Sequence, residues 1–111
     1  MAYRLNRQLV LEAPERIADG AGGFVQSWES LGSLWAQVVA RTGREAAGVA
    51  SPLSRVGYKV FVRAAPVGSE ARPQADQRFR EGERIYRILS VAEDDVDSRY
   101  LLCSALEETV A

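Results

Sequence analysis

A chain of 111 residues is long enough for one modest core and too short for two, and 47% hydrophobic with 26% charged side chains is the composition of an ordinary globular domain. The formal net charge of −1 argues against tight autonomous binding to nucleic acid. No apolar run approaches bilayer length, Met1-Ala2-Tyr3-Arg4 leads straight into polar residues without a secretory stretch, and a single cysteine, Cys103, excludes an internal disulfide or a multi-thiolate zinc site. One domain over residues 1–111, made in the cytoplasm and not membrane-bound, is expected.

In chain order, Leu5, Leu9, Leu11 and Ala13 alternate with Asn6, Gln8, Val10 and Glu12 at the two-residue period of a half-buried strand, which Pro14 is expected to end. Asp19-Gly20-Ala21-Gly22-Gly23 reads as a turn. Phe24–Trp28 and Leu34–Arg41 read as two strands, with a bend or bulge at Gly32 between them. From Thr42 to Ser54, Gly43, Gly48 and Pro52 break the pattern and predict a long loop. Val56, Tyr58, Val60, Val62 and Ala64 give the clearest alternation in the chain, and Pro66–Gln77 looks like a poorly ordered surface connection. Strands at Gln77–Glu81, Arg84–Val91 and Arg99–Leu106, joined at Gly82 and by the acidic turn Glu93–Ser98, make a closing meander. The fold class is mainly β: a small barrel or sandwich of six to seven antiparallel strands, with a long loop and at most a short helix.

Several strands carry apolar groups on both faces. Tyr86 and Ile88 oppose Ile85 and Leu89, and Tyr100, Leu102 and Leu106 oppose Leu101, Cys103 and Ala105. One interior cannot take all of them, so a helix or, as we favour, a neighbouring copy is expected to cover the second face. Charge is also uneven: Arg41–Arg87 holds ten basic and five acidic residues, Val91–Ala111 one basic and six acidic. Two readings stand side by side, solvated surfaces with a chance bias and attraction between subunits through Arg84 and Arg87 on one copy and Asp94, Asp95 and Asp97 on the next.

Catalytic and cofactor patterns are few. Without histidine, the commonest general base and metal ligand are missing. Gly20-Ala21-Gly22-Gly23-Phe24-Val25 has Val25 where a dinucleotide loop needs its third glycine, and the Glu93–Asp97 cluster lacks the glycine and ligand spacing of a calcium loop. Cys103 fits an apolar strand as a small hydrophobe. No catalytic residue, cofactor or metal is assigned.

The order of features is more telling than any one of them: Asp19-x-x-Gly22-Gly23, Trp28, Trp35-Ala36-x-Val38, Gly43-Arg44-Glu45, a strand ending at Arg63, Glu81-Gly82 with Ile85-Tyr86-x-Ile88-x-x-Val91, and Leu101-Leu102-Cys103. This order resembles the head-tail joining family of tailed phages, the head-closure or stopper proteins, which also occur in prophages and gene transfer agents. The resemblance implies a β-barrel subunit of the virion that assembles as a ring, usually hexameric, between the portal and adaptor of the head and the tail. The resemblance also implies that double-stranded DNA passes through the channel of that ring without specific binding. By position it also implies that Gly43–Arg55 is the loop facing the lumen, with Gly43, Arg44, Glu45, Gly48 and Arg55 as lumenal or subunit contacts; solvated loop charges are the equal alternative for Arg44 and Glu45. A reading of another class is a free-standing oligonucleotide-binding barrel, which would present Trp28, Trp35, Tyr86 or Arg87 as a stacking surface.

Overall fold

The computed structural model describes residues 3–41, 55–94 and 97–108. Six strands form a closed antiparallel barrel: β1 (Arg7–Ala18), β2 (Phe24–Ala40), β3 (Arg55–Arg63), β4 (Arg78–Glu81), β5 (Arg84–Glu93) and β6 (Tyr100–Glu108). Around the barrel they run β1-β2-β3-β6-β5-β4, with β4 closing back on β1 through Val10↔Arg80, Leu11↔Phe79 and Glu12↔Arg78. The expected class is therefore observed, as a barrel, and no helix occurs among the described residues. The expected loop at 42–54 falls outside them.

The two-residue alternation accounts for the core. Leu9 and Leu11 of β1, Ala36 of β2, Val60 and Val62 of β3, Phe79 of β4, Tyr86 and Ile88 of β5, and Leu101, Cys103 and Ala105 of β6 all point inward and are buried. A barrel leaves no edge strands over the residues that close it. At the β4–β5 hairpin, Glu81 pairs with Arg84 across the two residues Gly82 and Glu83. Gly82 takes the positive φ of 61° that such a short reversal needs at its first central position.

Two expected strand boundaries are corrected. Residues 24–40 form one strand rather than two: the register steps from Leu11↔Gly32 to Glu12↔Ser30, leaving Leu31 as the extra residue of a bulge. Gly32 lies at φ 120°, so the irregularity expected there bends the strand without ending it. β1 likewise runs through Pro14. Beyond Glu12 it pairs with β2 alone, through to Ala18↔Phe24, and a strand laddered along one edge tolerates a proline. The result is a two-stranded arm, Ala13–Ala18 against Phe24–Glu29, that leaves the barrel wall; the molecule measures 52 × 36 × 23 Å.

Both mouths of the barrel are filled. β3 and β4 lie on opposite sides of the six-strand ring, so the connection 64–77 has to cross one mouth. It does so as ordered turns rather than a loose segment: Ser69 N–H donates to Pro66 O, Arg72 N–H to Ser69 O, the Arg72 guanidinium to Ala65 O at 2.9 Å, and Asp76 N–H to Ile88 O. Pro73 is fully buried. At the other mouth, Arg7 pairs with Glu81 and donates to the Tyr86 hydroxyl at 3.1 Å. There Arg84 also binds Glu107 through two bonds of 2.7 and 3.2 Å and lies 5.1 Å from the Tyr86 ring, which meets Tyr58 edge-on.

Candidate functional site

The arm is anchored by charge. Glu12 is buried, and both its carboxylate oxygens are taken, one by Arg78 at 2.7 Å and the other by Arg80 at 2.9 Å. Burial works against its charge, but the two guanidiniums override that and hold the carboxyl below its ordinary range. Arg78 also lies 4.0 Å over the Trp28 ring, which opposes Pro14 in the first half of the arm. One cluster thus ties β1, β2 and β4 together where the ribbon departs. At the tip, Asp19 accepts the N–H groups of Ala21 at 2.8 Å and Gly23 at 3.1 Å, which keeps its exposed carboxylate charged.

Among what the arm presents outward are three large apolar side chains. Ile17 and Val25 are cross-strand partners on one face, 45% and 53% exposed, and Phe24 on the other face is 60% exposed, with Arg16 4.3 Å from its ring centre. Apart from Arg16 against Phe24, the described residues leave these side chains largely open.

On the barrel wall the second apolar face is partly covered from within. Tyr3, ahead of β1, stacks on Tyr100 with ring centres 4.1 Å apart and packs on Phe61 at 5.4 Å, leaving Phe61 buried although it points outward. Its hydroxyl donates to Asp94. Beside this patch Trp35 stays 53% exposed between two open clefts. One, of about 460 Å³, is lined by Tyr3, Leu5, Trp35, Arg63 and Tyr100. The other, of about 230 Å³, adds Leu34 and the small residues Ala64, Ala65 and Ala71 to the same Leu5, Trp35 and Arg63. Arg63 makes no ion pair among the described residues.

The residues singled out for subunit charge are spread around the barrel. Arg84 is committed to the mouth, bonded to Glu107; hydrogen bonding to that carboxylate raises the Arg84 pKa and lowers that of Glu107. Arg87 is on the outer wall, 3.7 Å from Asp76; Asp94 accepts the Tyr3 hydroxyl; exposed Asp97 stands 3.2 Å from Arg99. Arg55 opens β3 opposite Glu108, while Gly43, Arg44, Glu45, Gly48 and Asp95 lie outside the described residues. The basic and acidic stretches of the sequence fold side by side, because β6 is hydrogen-bonded between β3 and β5.

Of the four candidate stacking residues, Tyr86 is fully buried and cannot reach a ligand, Trp28 lies half-buried under Arg78, and Trp35 and Arg87 are exposed. Cys103 is buried, and desolvation pushes its thiol up to about 12. Among the described residues, no group of three or more Cys, Asp or Glu is placed to hold a metal ion. Sequence reading missed the Glu12–Arg78–Arg80 cluster. Its only trace was an acid at the end of an apolar alternation, and the arginines that answer it are 66 and 68 residues away.

Comparison with known proteins follows the same lines. The family model described as phage head completion protein matches residues 1–108. A chain of the virion of a native gene transfer agent particle is 47% identical, with 99% of this chain and 100% of that one covered and a TM-score of 0.79. The solution structure of protein SF1141 from Shigella flexneri 2a shares the fold at 19% identity and TM-score 0.70, covering 97% of this chain and 96% of that one. No curated protein sequence matches.

Proposed function

The chain belongs to the phage head completion protein family, whose members are structural parts of the virion, and on that premise we propose that it is the subunit of a ring at the head–tail junction of a phage-like particle. In this reading it joins the portal and adaptor to the tail and lines a channel that double-stranded DNA passes without specific binding. The observation that carries it is the 47% identity, end to end, with a chain of a gene transfer agent virion. The apolar groups left exposed on the arm and around Trp35 support it, because a barrel with a complete core has no internal use for them.

The mechanism is assembly: each copy covers its neighbour's apolar surface until the ring closes, and no bond is made or broken. Ala40 and Arg55 put both ends of the β2–β3 connection at the mouth carrying Arg7, Arg84 and Glu107, and we assign that connection, with Gly43, Arg44, Glu45 and Gly48, to the lumen. The exposed pairs at Arg87 and Asp97 are the proposed sources of charge exchange between subunits.

Deleting the gene from a producing strain and counting particles by electron microscopy tests the reading. DNA-filled heads without tails are expected, and a normal yield of tailed particles overturns it. Reversing charge at both Arg44 and Glu45 tests the lumenal assignment: a several-fold drop in tailed particles is expected, and undiminished tail attachment makes those two residues solvated loop charges.

A further inference from the structure

The arm is a knob without a socket in its own molecule. Its exposed residues, Ile17, Phe24 and Val25, surround a turn whose Asp19 carboxylate is fixed in the charged form by two backbone N–H groups. Between Ala13 and Glu29 three acids, Glu15, Asp19 and Glu29, stand against Arg16 alone. The barrel wall offers the opposite: an open cleft floored by Leu5, Trp35 and Tyr100, whose one charged lining residue, Arg63, has no ion pair among the described residues. Polarity and charge sign are complementary.

They cannot meet within one chain. Phe24 and Trp35 are eleven residues apart on β2, and at about 3.3 Å per residue an extended strand keeps them about 35 Å apart. The arm continues β1 past Glu12, whereas the cleft forms where Leu5 ahead of β1 and Trp35 of β2 meet Arg63, Ala64 and Tyr100 at the finish of β3 and the start of β6. Two different, complementary patches on one molecule make a heterologous contact, and repeating it closes a ring when the rotation it imposes closes.

We propose that the tip of the β1–β2 arm seats in the Leu5–Trp35–Arg63 cleft of a second copy of this chain, with Phe24 and Val25 as the buried anchors and Asp19 paired to Arg63. This inference rests on the ring reading and names the surface by which it forms. The contact is heterologous: each subunit gives its arm to one neighbour and receives an arm from the other.

Paired cysteines at Val25→Cys and Ala65→Cys, introduced together into the gene of a producing strain, test it. Cys103 is buried with its thiol pushed up to about 12, so it stays silent. Purified particles, oxidised and run on a non-reducing gel, are expected to give a ladder at multiples of 12.2 kDa, and either cysteine alone is expected to give none. Particles that contain the subunit in normal amount yet show no ladder, or show Val25→Cys joined to a different protein, overturn the arm-in-cleft contact and leave the ring reading standing. Absence of the native subunit from particles of the parent strain overturns the ring reading as well. As a second readout, Asp19→Arg or Arg63→Asp alone is expected to lower tailed particles about tenfold and the double swap to recover most of the loss; no recovery removes the Asp19–Arg63 pair from the proposal.

Discussion

The barrel and its arm are built from the same two strands and obey different rules. Up to Glu12, β1 has a partner on each side, β2 and β4, and every second residue enters a closed interior. Past Glu12 the same strand keeps only β2, and its apolar residues face outward on both sides of a ribbon two strands wide. Apolar side chains therefore do two jobs in one chain. Inside the barrel they hold the subunit together; at the arm's tip Ile17, Phe24 and Val25 stay exposed and are available to another molecule.

The sharpest test of that division is to make one substitution in both places. Phe79→Ala removes a fully buried ring and is expected to cost about 3–5 kcal/mol in a urea titration, the range for emptying a core aromatic site. A loss under about 1 kcal/mol would mean that the barrel core is not close-packed.

Next in size is the joint between the two regions. Glu12→Gln leaves Arg78 and Arg80 without their anion and is expected to cost about 2 kcal/mol, as for hydrogen bonds to charged groups. Glu12, Glu81 and Glu107 all have folded pKa values below the ordinary 4.5, so the unfolded chain binds more protons in acid. Their contribution is complete above about pH 4.5 and is lost as pH falls through the folded values. Stability against urea is expected to drop below that pH in the native protein and to drop less in Glu12→Gln.

The bulge that aims the arm comes third. Gly32 at φ 120° occupies backbone space that a side chain strains, and Gly32→Ala is expected to cost about 1.5 kcal/mol by the same titration. Since nothing lies within 4 Å of the added carbon, the cost is conformational and not steric. Smallest is Phe24→Ala, expected to leave the isolated subunit within about 0.5 kcal/mol of native. A cost near that of Phe79→Ala would show that the arm packs against its own barrel and would erase the contrast.

Legibility in the sequence followed the same division. β3, the Gly82 reversal and the final meander were readable, because alternation and turn chemistry are local and the barrel honours both. The irregularity at Gly32 was readable as a position, whereas its continuity was not: whether a glycine ends a strand or bulges it depends on the partner strand, here the unbroken run of β1. Pro14 misled for a related reason, since its meaning turns on how many neighbours β1 keeps, and that is settled by where the four-residue β4 stops. Tyr86 and Arg87 looked alike as candidate binders until closure put one inside and the other outside. The excess apolar surface was legible as a quantity, but not that Tyr3 would shelter Phe61 while Trp35 stayed bare, because that partition is made by the chain ahead of β1 lying across β3.

The stoppered barrel has a geometric corollary. With Pro73 under one mouth and the Arg7–Glu81–Arg84–Glu107 cluster across the other, and Phe79, Tyr86 and Leu101 filling the space between, no thread of any polymer runs down the middle of a subunit. In the proposed ring, a passage for nucleic acid would therefore be the empty space that the copies enclose between them, its bore set by how many copies stand around the axis and at what angle they meet.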